Sequence, residues 1–244
     1  QSILKLLPDS SSLHGIQKGE PEMLSFPREL NVKGESLTID FGEHMVGRLN
    51  LKINTIGNAQ DAPIRLKIRF GEIPAEVFYS RDDYEGWLSD TWFQEEILYI
   101  DYTPFEITLR RRFCFRYITI LLEGISSKNA CTIEDLSCEQ QTSAPMFDVS
   151  SNVHDPILAK IDKIARMTLR DCMQDVFEDG PKRDRRLWLG DLRLQALANY
   201  HTFKNYELVK RCLYLFAGTR DINGRISSCI FTTPHIHPDN IYLF

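Results

Sequence analysis

The chain has 244 residues, with 29 Lys and Arg against 34 Asp and Glu, for a net charge of −5. Hydrophobic residues make up 43% and charged residues 26%, so a core can be buried and disorder of the whole chain is excluded. The acidic balance argues against nucleic-acid or anionic-membrane partners, which need a basic face, and no run approaches the ~18 apolar residues of a membrane span. At ~100–200 residues per domain, the length fits one large domain or two modest ones.

In chain order, the first 145 residues or so predict β-structure. Leu37–Phe41, Leu49–Ile53 and Ile64–Phe70 each alternate apolar and polar residues, the period of strands with one buried face. Tyr117–Leu122 is a β-branched run ended by Glu123-Gly124, and turn signals fall at Lys33-Gly34, Gly57-Asn58 and Ser126–Asn129. Short strands so punctuated predict an antiparallel β-sandwich. The stretch 74–90, acidic and aromatic without a clear period, predicts a long loop between strands, with ordinary packing or a glycan platform as its alternatives. Near Gln140–Pro145 the composition shifts, which places a domain boundary at 145/146.

Beyond the boundary the period becomes helical. Ile157, Ile161, Ile164, Ala165, Thr168 and Leu169 share one face, and Asp155-Pro156 supplies an N-cap and a first-position proline, predicting a helix over roughly 155–175. Further helices are predicted from Asp191 to Phe203 and from Tyr206 to about Gly218. The six cysteines show no C-x-x-C pair or zinc spacing and lie mostly in apolar runs. They read as reduced structural thiols and, with no signal peptide in view, suggest a cytoplasmic location.

The richest chemistry lies between the first two helices, in Asp179-Gly180-Pro181-Lys182-Arg183-Asp184-Arg185-Arg186-Leu187-Trp188-Leu189-Gly190-Asp191. Three carboxylates, four bases and an indole share this loop. Sugar chemistry uses such a set: one carboxyl protonates a leaving oxygen, others grip hydroxyls, and an aromatic face covers the ring. A structural alternative stands beside it. Asp191 would be the N-cap of the second helix, Trp188 would pack against Leu192 or Leu194, and the arginines would be solvated or paired with the aspartates.

This loop resembles the signature of glycoside hydrolase family 78, the α-L-rhamnosidases. Phe41–Gly47, Arg69–Glu72, Arg111–Tyr117 and Phe147–Ser150 resemble further family segments in the family's order, so that the likeness covers about residues 35–244. It implies an antiparallel β-sandwich (1–145) followed by an (α/α)6 six-hairpin barrel (146–244). The barrel would be incomplete, with about three helices visible. The implied activity is hydrolysis of terminal α-L-rhamnosyl residues with inversion, without a cofactor or metal, on a rhamnose-containing glycoside or oligosaccharide. Asp184 would be the general acid, and Asp179, Trp188 and Asp191 would bind the sugar. The family's acid is usually Glu, and Asp184 is shorter by one methylene, about 1.5 Å of reach.

An inverting enzyme also needs a base ~6.5–9.5 Å from the acid. No residue of this chain matches the family's base, a downstream Glu. With Gln1 in first place and an apolar end at Ile241–Phe244, the chain reads as a fragment that is inactive alone. A non-catalytic carbohydrate-binding homologue of the same fold is the alternative. Among smaller candidates, His235-x-His237 has no third metal ligand nearby, His44 reads as a surface or turn histidine, and Arg110–Arg112 as a solvated strand edge.

Overall fold

The computed structural model describes residues 1–145 and 153–230. The chain divides into two compact units, Gln1–Gln140 and Gln141–Phe244.

The first unit is built on antiparallel strands. Five short ones come first: β1 (Ser2–Ile3), β2 (Leu6–Pro8), β3 (Ile16–Lys18), β4 (Glu22–Met23) and β5 (Arg28–Leu30). The long β6 (Ser36–Gly57) and β7 (Ile64–Gly71) follow, then a short helix α1 (Pro74–Phe78). The unit ends with β8 (Gln94–Ile100), β9 (Phe105–Thr108), β10 (Phe113–Gly124) and β11 (Asn129–Gln140). One path of pairing runs β4-β1-β6-β10-β7-β8, while β11 pairs with β5 and β6, and β9 with β6.

The two alternating runs Leu37–Phe41 and Leu49–Ile53 are halves of one strand of 22 residues. The first half faces β10, as in Ile39↔Ile118, and the second faces β11 and β9, as in Leu51↔Leu136 and Leu51↔Ile107. Between them the chain bends instead of turning back. Gly42 adopts φ 86°, a left-handed value that glycine takes freely, and its amide donates to Asp40 Oδ1 at 2.7 Å. Arg116 of β10 grips the same carboxylate through Nε and Nη2 at 2.8 and 2.9 Å. At Gly47 a Cβ would intrude on the Glu139 carbonyl oxygen, so glycine is what lets β11 approach there.

The alternation in β7 shows why these residues form a sheet. Ile64, Leu66, Ile68 and Phe70 are essentially fully buried. Arg65 and Lys67, on the other face, pair with Glu123, and Arg69 pairs with Glu95. On the buried side Phe70 of β7 stacks on Phe113 of the neighbouring β10 with centroids 3.9 Å apart. The inward residues of both halves of β6 share this core with β7, β10 and β11. The stretch 74–90, expected as a loop, contains α1 and a short 3-10 turn at Arg81–Asp83, where Ser80 and Asp83 cap one another. Trp87 stands 91% exposed in it. His44 lies on β6 and contacts Glu72 at 3.0 Å.

The second unit holds α2 (Pro156–Cys172), β12 (Leu187–Trp188), α3 (Leu189–His201), α4 (Tyr206–Gly218) and β13 (Cys229–Ile230). Asp155 caps α2 as expected, accepting from the amides of Ile157 and Leu158. The α2 stripe behaves differently from its amphipathic reading. Ile157, Ile161 and Ile164 are more than half exposed, and the helix buries only Leu169, Asp171 and Cys172 near its end. The core of this unit gathers Leu169, Met173, Phe177, Leu187, Leu192, Leu208, Cys212 and Phe216. Thr142 and Ser143, just before the boundary placed from composition, bond to Arg170 and Met173. Five cysteines are buried, Cys138 is half-buried, and none is in a disulfide. Burial pushes the Cys131 thiol up to about 12. His235, His237 and Phe147–Ser150 lie outside the described residues.

Candidate active site

The site is built where α2 ends and α3 begins. Helix α2 ends at Cys172, well before Gly180-Pro181, and after a bridge between Met173 and Phe177 a turn over 181–184 carries the chain to β12. Strand β12 pairs with β13 in the register Trp188↔Cys229, and the Leu189 amide donates to the Ser228 carbonyl at 2.8 Å. Leu187 is buried in the core of the unit, and this fixes the outward step at Trp188.

Asp179 closes the loop. Its Oδ1 accepts from the amides of Gly180 (2.8 Å) and Arg186 (3.0 Å), and its own amide donates to the Arg186 carbonyl at 2.9 Å. Oδ2 accepts from the indole Nε1 of Trp188 at 2.9 Å. Within the loop Asp184 and Arg185 both take left-handed backbone, φ 63° and 56°. Arg185 is held by its amide to the Gly180 and Arg183 carbonyls and by its Nε to the Pro181 carbonyl at 2.8 Å. The left-handed conformation gives a physical reason for Asp at position 184. Asp visits this region several-fold more readily than most side chains, because its short polar group bonds locally.

Asp191 is the third residue of α3, and the helix starts at Leu189 with Trp188 as its cap residue. The alternative reading of Asp191 as N-cap is therefore overturned. The extended pair Leu187-Trp188 runs directly into the helix and leaves Asp191 inside its first turn. Burial raises the Asp191 carboxyl above its ordinary value, and the charge of Asp179 raises it further. The two carboxylates thus share one acidic corner. Cys172 lies within electrostatic reach of the same carboxylates. Its thiol is pushed up to about 12 by burial, then by Asp171, Glu178, Asp179 and Asp191.

Of the residues picked out by sequence, the fold joins Asp179 to Trp188 directly and places Asp191 within electrostatic reach of Asp179. Asp184 sits half-buried on the clasped loop and makes no hydrogen bond or ion pair among the described residues. Glu178, adjacent to the motif, is buried at 7% exposure, and its carbonyl accepts from Gln195 Nε2 at 2.8 Å. Ser228 is fully buried beside the Trp188 strand. Neither Gln195 nor Ser228 belongs to the motif, and no local pattern marks them. No group of three or more His, Cys, Asp or Glu suited to a metal occurs among the described residues. In the first unit a groove of about 530 Å³ lies between the N-terminal strands and α1, with none of the motif residues in its lining.

The corner thus sets two carboxylates beside an indole that one of them holds. Comparisons with known proteins give the family. The family model described as the glycosyl hydrolase family 78 alpha-rhamnosidase N-terminal domain matches residues 1–140. That of the bacterial alpha-L-rhamnosidase 6 hairpin glycosidase domain matches residues 149–241. The chain belongs to glycoside hydrolase family 78. Among solved structures it is similar to a rhamnosidase from Klebsiella oxytoca with rhamnose bound, at 43% identity and TM-score 0.88, covering 98% of this chain and 47% of that one. It is also similar to the family 78 rhamnosidase of Bacillus sp. GL1, at 26% identity and TM-score 0.64, covering 80% of this chain and 19% of that one. The Streptomyces avermitilis alpha-L-rhamnosidase complexed with L-rhamnose, at 21% identity and TM-score 0.56, shares the fold over 84% of this chain and 19% of its own. The chain thus spans about half the length, or less, of these relatives. Comparison with curated protein sequences gives no match. No described helix is long and apolar enough to cross a membrane.

Proposed function

We propose that this chain carries the general-acid half of an inverting α-L-rhamnosidase, in a β-sandwich (1–145) joined to the first hairpins of an (α/α)6 barrel (146–244). The observation that carries the reading is the acidic corner at the start of α3, where Asp179 holds Trp188 and lies close to Asp191. The Klebsiella oxytoca relative, solved with rhamnose bound, supports the substrate class.

In the reaction, Asp184 gives its proton to the glycosidic oxygen as the bond from that oxygen to the anomeric carbon breaks. A water attacks the opposite face of the carbon and loses a proton to a carboxylate base outside these 244 residues. The sugar leaves with inverted configuration and the alcohol leaves neutral. Asp191 and the remaining acceptor capacity of Asp179 take ring hydroxyls, and the indole of Trp188 covers the apolar face of the sugar. No cofactor enters this chemistry. These residues alone are expected to show no turnover of an aryl α-L-rhamnoside.

The test is proton NMR of the full-length protein acting on an α-L-rhamnoside. The β-anomer of rhamnose should form first and mutarotate later. Early appearance of the α-anomer would refute inversion, and rhamnose binding without hydrolysis would favour the non-catalytic homologue.

A further inference from the structure

We propose that Asp179 is a positioning residue: its carboxylate ties Trp188 to the loop carrying Asp184, so that the sugar-facing indole and the candidate acid are held in one register. The inference rests on the roles proposed above for Asp184 and Trp188 and goes beyond them, because it assigns Asp179 a task that involves no sugar.

The geometry is a clasp. Asp179 stands at the entry of the loop and Trp188 at its exit. One carboxylate oxygen takes the amides of Gly180 and Arg186 at 2.8 and 3.0 Å, and the other takes the Trp188 indole at 2.9 Å. An ionised carboxylate offers about four lone-pair sites, so three are already spent on the protein and one is left for a ligand. The bond to the indole is chemically one-way, since the indole only donates and the carboxylate only accepts.

What the clasp encloses explains why it is needed. Two successive L-residues, Asp184 and Arg185, take left-handed backbone, which Asp tolerates and Arg adopts only at a cost. Such a segment persists only where its surroundings over-determine it. Without the tie the loop relaxes, and displacement of a reacting group by about 1 Å is enough to cost ~100-fold in rate.

The experiment separates positioning from direct sugar contact and from plain stability. In Asp179→Asn the carbonyl oxygen can still accept the two amides, while the new NH2 faces the indole N–H, donor against donor. Trp188→Phe removes the indole donor and keeps an aromatic ring. Both variants and their combination are made in the full-length protein. Their kcat and KM are measured on two rhamnosides, one with a nitrophenolate leaving group that needs little protonation and one with an alkyl alcohol leaving group that needs it.

Each single variant should lose about 10- to 100-fold in kcat on the alkyl glycoside, the worth of one charge-assisted hydrogen bond. The loss on the nitrophenyl glycoside should be distinctly smaller, any rise in KM should be the same on both substrates because they share the sugar, and the double variant should be no worse than either single one. The indole 15N–1H signal of Trp188, identified by its disappearance in Trp188→Phe, should shift in Asp179→Asn. Additive losses, equal losses on both substrates, a loss confined to KM or an unmoved indole signal would each overturn the proposal. If Asp179→Asn does not fold, the leaving-group dependence of Trp188→Phe alone decides. Were both variants normal in this test while Asp184→Asn was also fully active, the proposed acid would be at fault and not the clasp.

Discussion

Replacing Arg116 with Met should destabilise the β-rich unit by about 2–3 kcal/mol. The side chain of Asp40 is only 10% exposed and receives both guanidinium bonds, whereas Arg116 is 39% exposed. Breaking a fully buried pair costs ~3–5 kcal/mol, and the partial exposure of the arginine brings the figure down toward that of a charge-assisted hydrogen bond, ~1.5–3 kcal/mol. In urea, with a slope of ~1–3 kcal/mol per molar, this is a midpoint shift of roughly 1 M. Urea unfolding followed by far-UV circular dichroism of the sheet reads it directly.

The pH dependence has a definite sign. Burial alone would raise the Asp40 carboxyl, but the Arg116 and Gly42 hydrogen bonds outweigh it and hold it below its ordinary value. The contribution is therefore fully present above the unfolded value of about 3.9 and is lost as the pH falls through the lower folded value. The gap between wild type and Arg116→Met should stay constant from pH 7 to about pH 5 and narrow below about pH 4. A shift under ~0.5 kcal/mol at neutral pH would show the pair to be a surface bridge, and the account of the bend in β6 would fail.

Three further outcomes follow from particular contacts. Gly47→Ala should cost about 3 kcal/mol by forcing β6 and β11 apart, measured in the same urea assay; a neutral result would mean that the strands part freely at that point. Asp191 has a raised folded-state value, from burial and then from Asp179, so it favours the fold below its unfolded value and opposes it once ionised. Asp191→Asn should therefore raise the melting temperature at pH 7, with the gain vanishing below about pH 4; no gain at neutral pH would contradict the shared acidic corner. Cys131 and Cys172, pushed up to about 12 by burial, should resist thiol reagents at pH 8 and react only on unfolding; rapid native-state labelling would contradict their burial.

Much of this architecture is legible in the sequence where one local pattern decides one structure. The alternation of Ile64–Phe70 sets the buried face of β7, and Asp155-Pro156 sets the start of α2. Patterns that depend on distant partners are harder to read. Strand β11 changes register between Ile133 and Asp135, which breaks its period of two, and nothing local joins Leu37–Phe41 and Leu49–Ile53 into one strand, a link that shows only in the pairing of β6 with β10 and β11. The apolar stripe of α2 gives the right helix, yet it stays exposed among the described residues.

At the site, the motif itself marks Asp179, Asp184, Trp188 and Asp191 as one group. It does not show that Asp179 spends most of its capacity on the loop, because the backbone amides it binds carry no side-chain signal. Nor does spacing reveal that residues 184 and 185 are left-handed. That backbone conformation suits the short Asp that stands at position 184.

The most direct measurement of the central claim is Asp184→Asn in the full-length protein, with hydrolysis of an alkyl α-L-rhamnoside and binding of L-rhamnose determined on the same sample. Asn keeps the size of the side chain and tolerates the left-handed backbone, so the loop should be preserved. Turnover should fall by ~100-fold or more, as expected for loss of a general acid, while rhamnose binding stays within about twofold of wild type. Turnover unchanged from wild type would contradict Asp184 as the proton donor and move the search for the acid to another carboxylate.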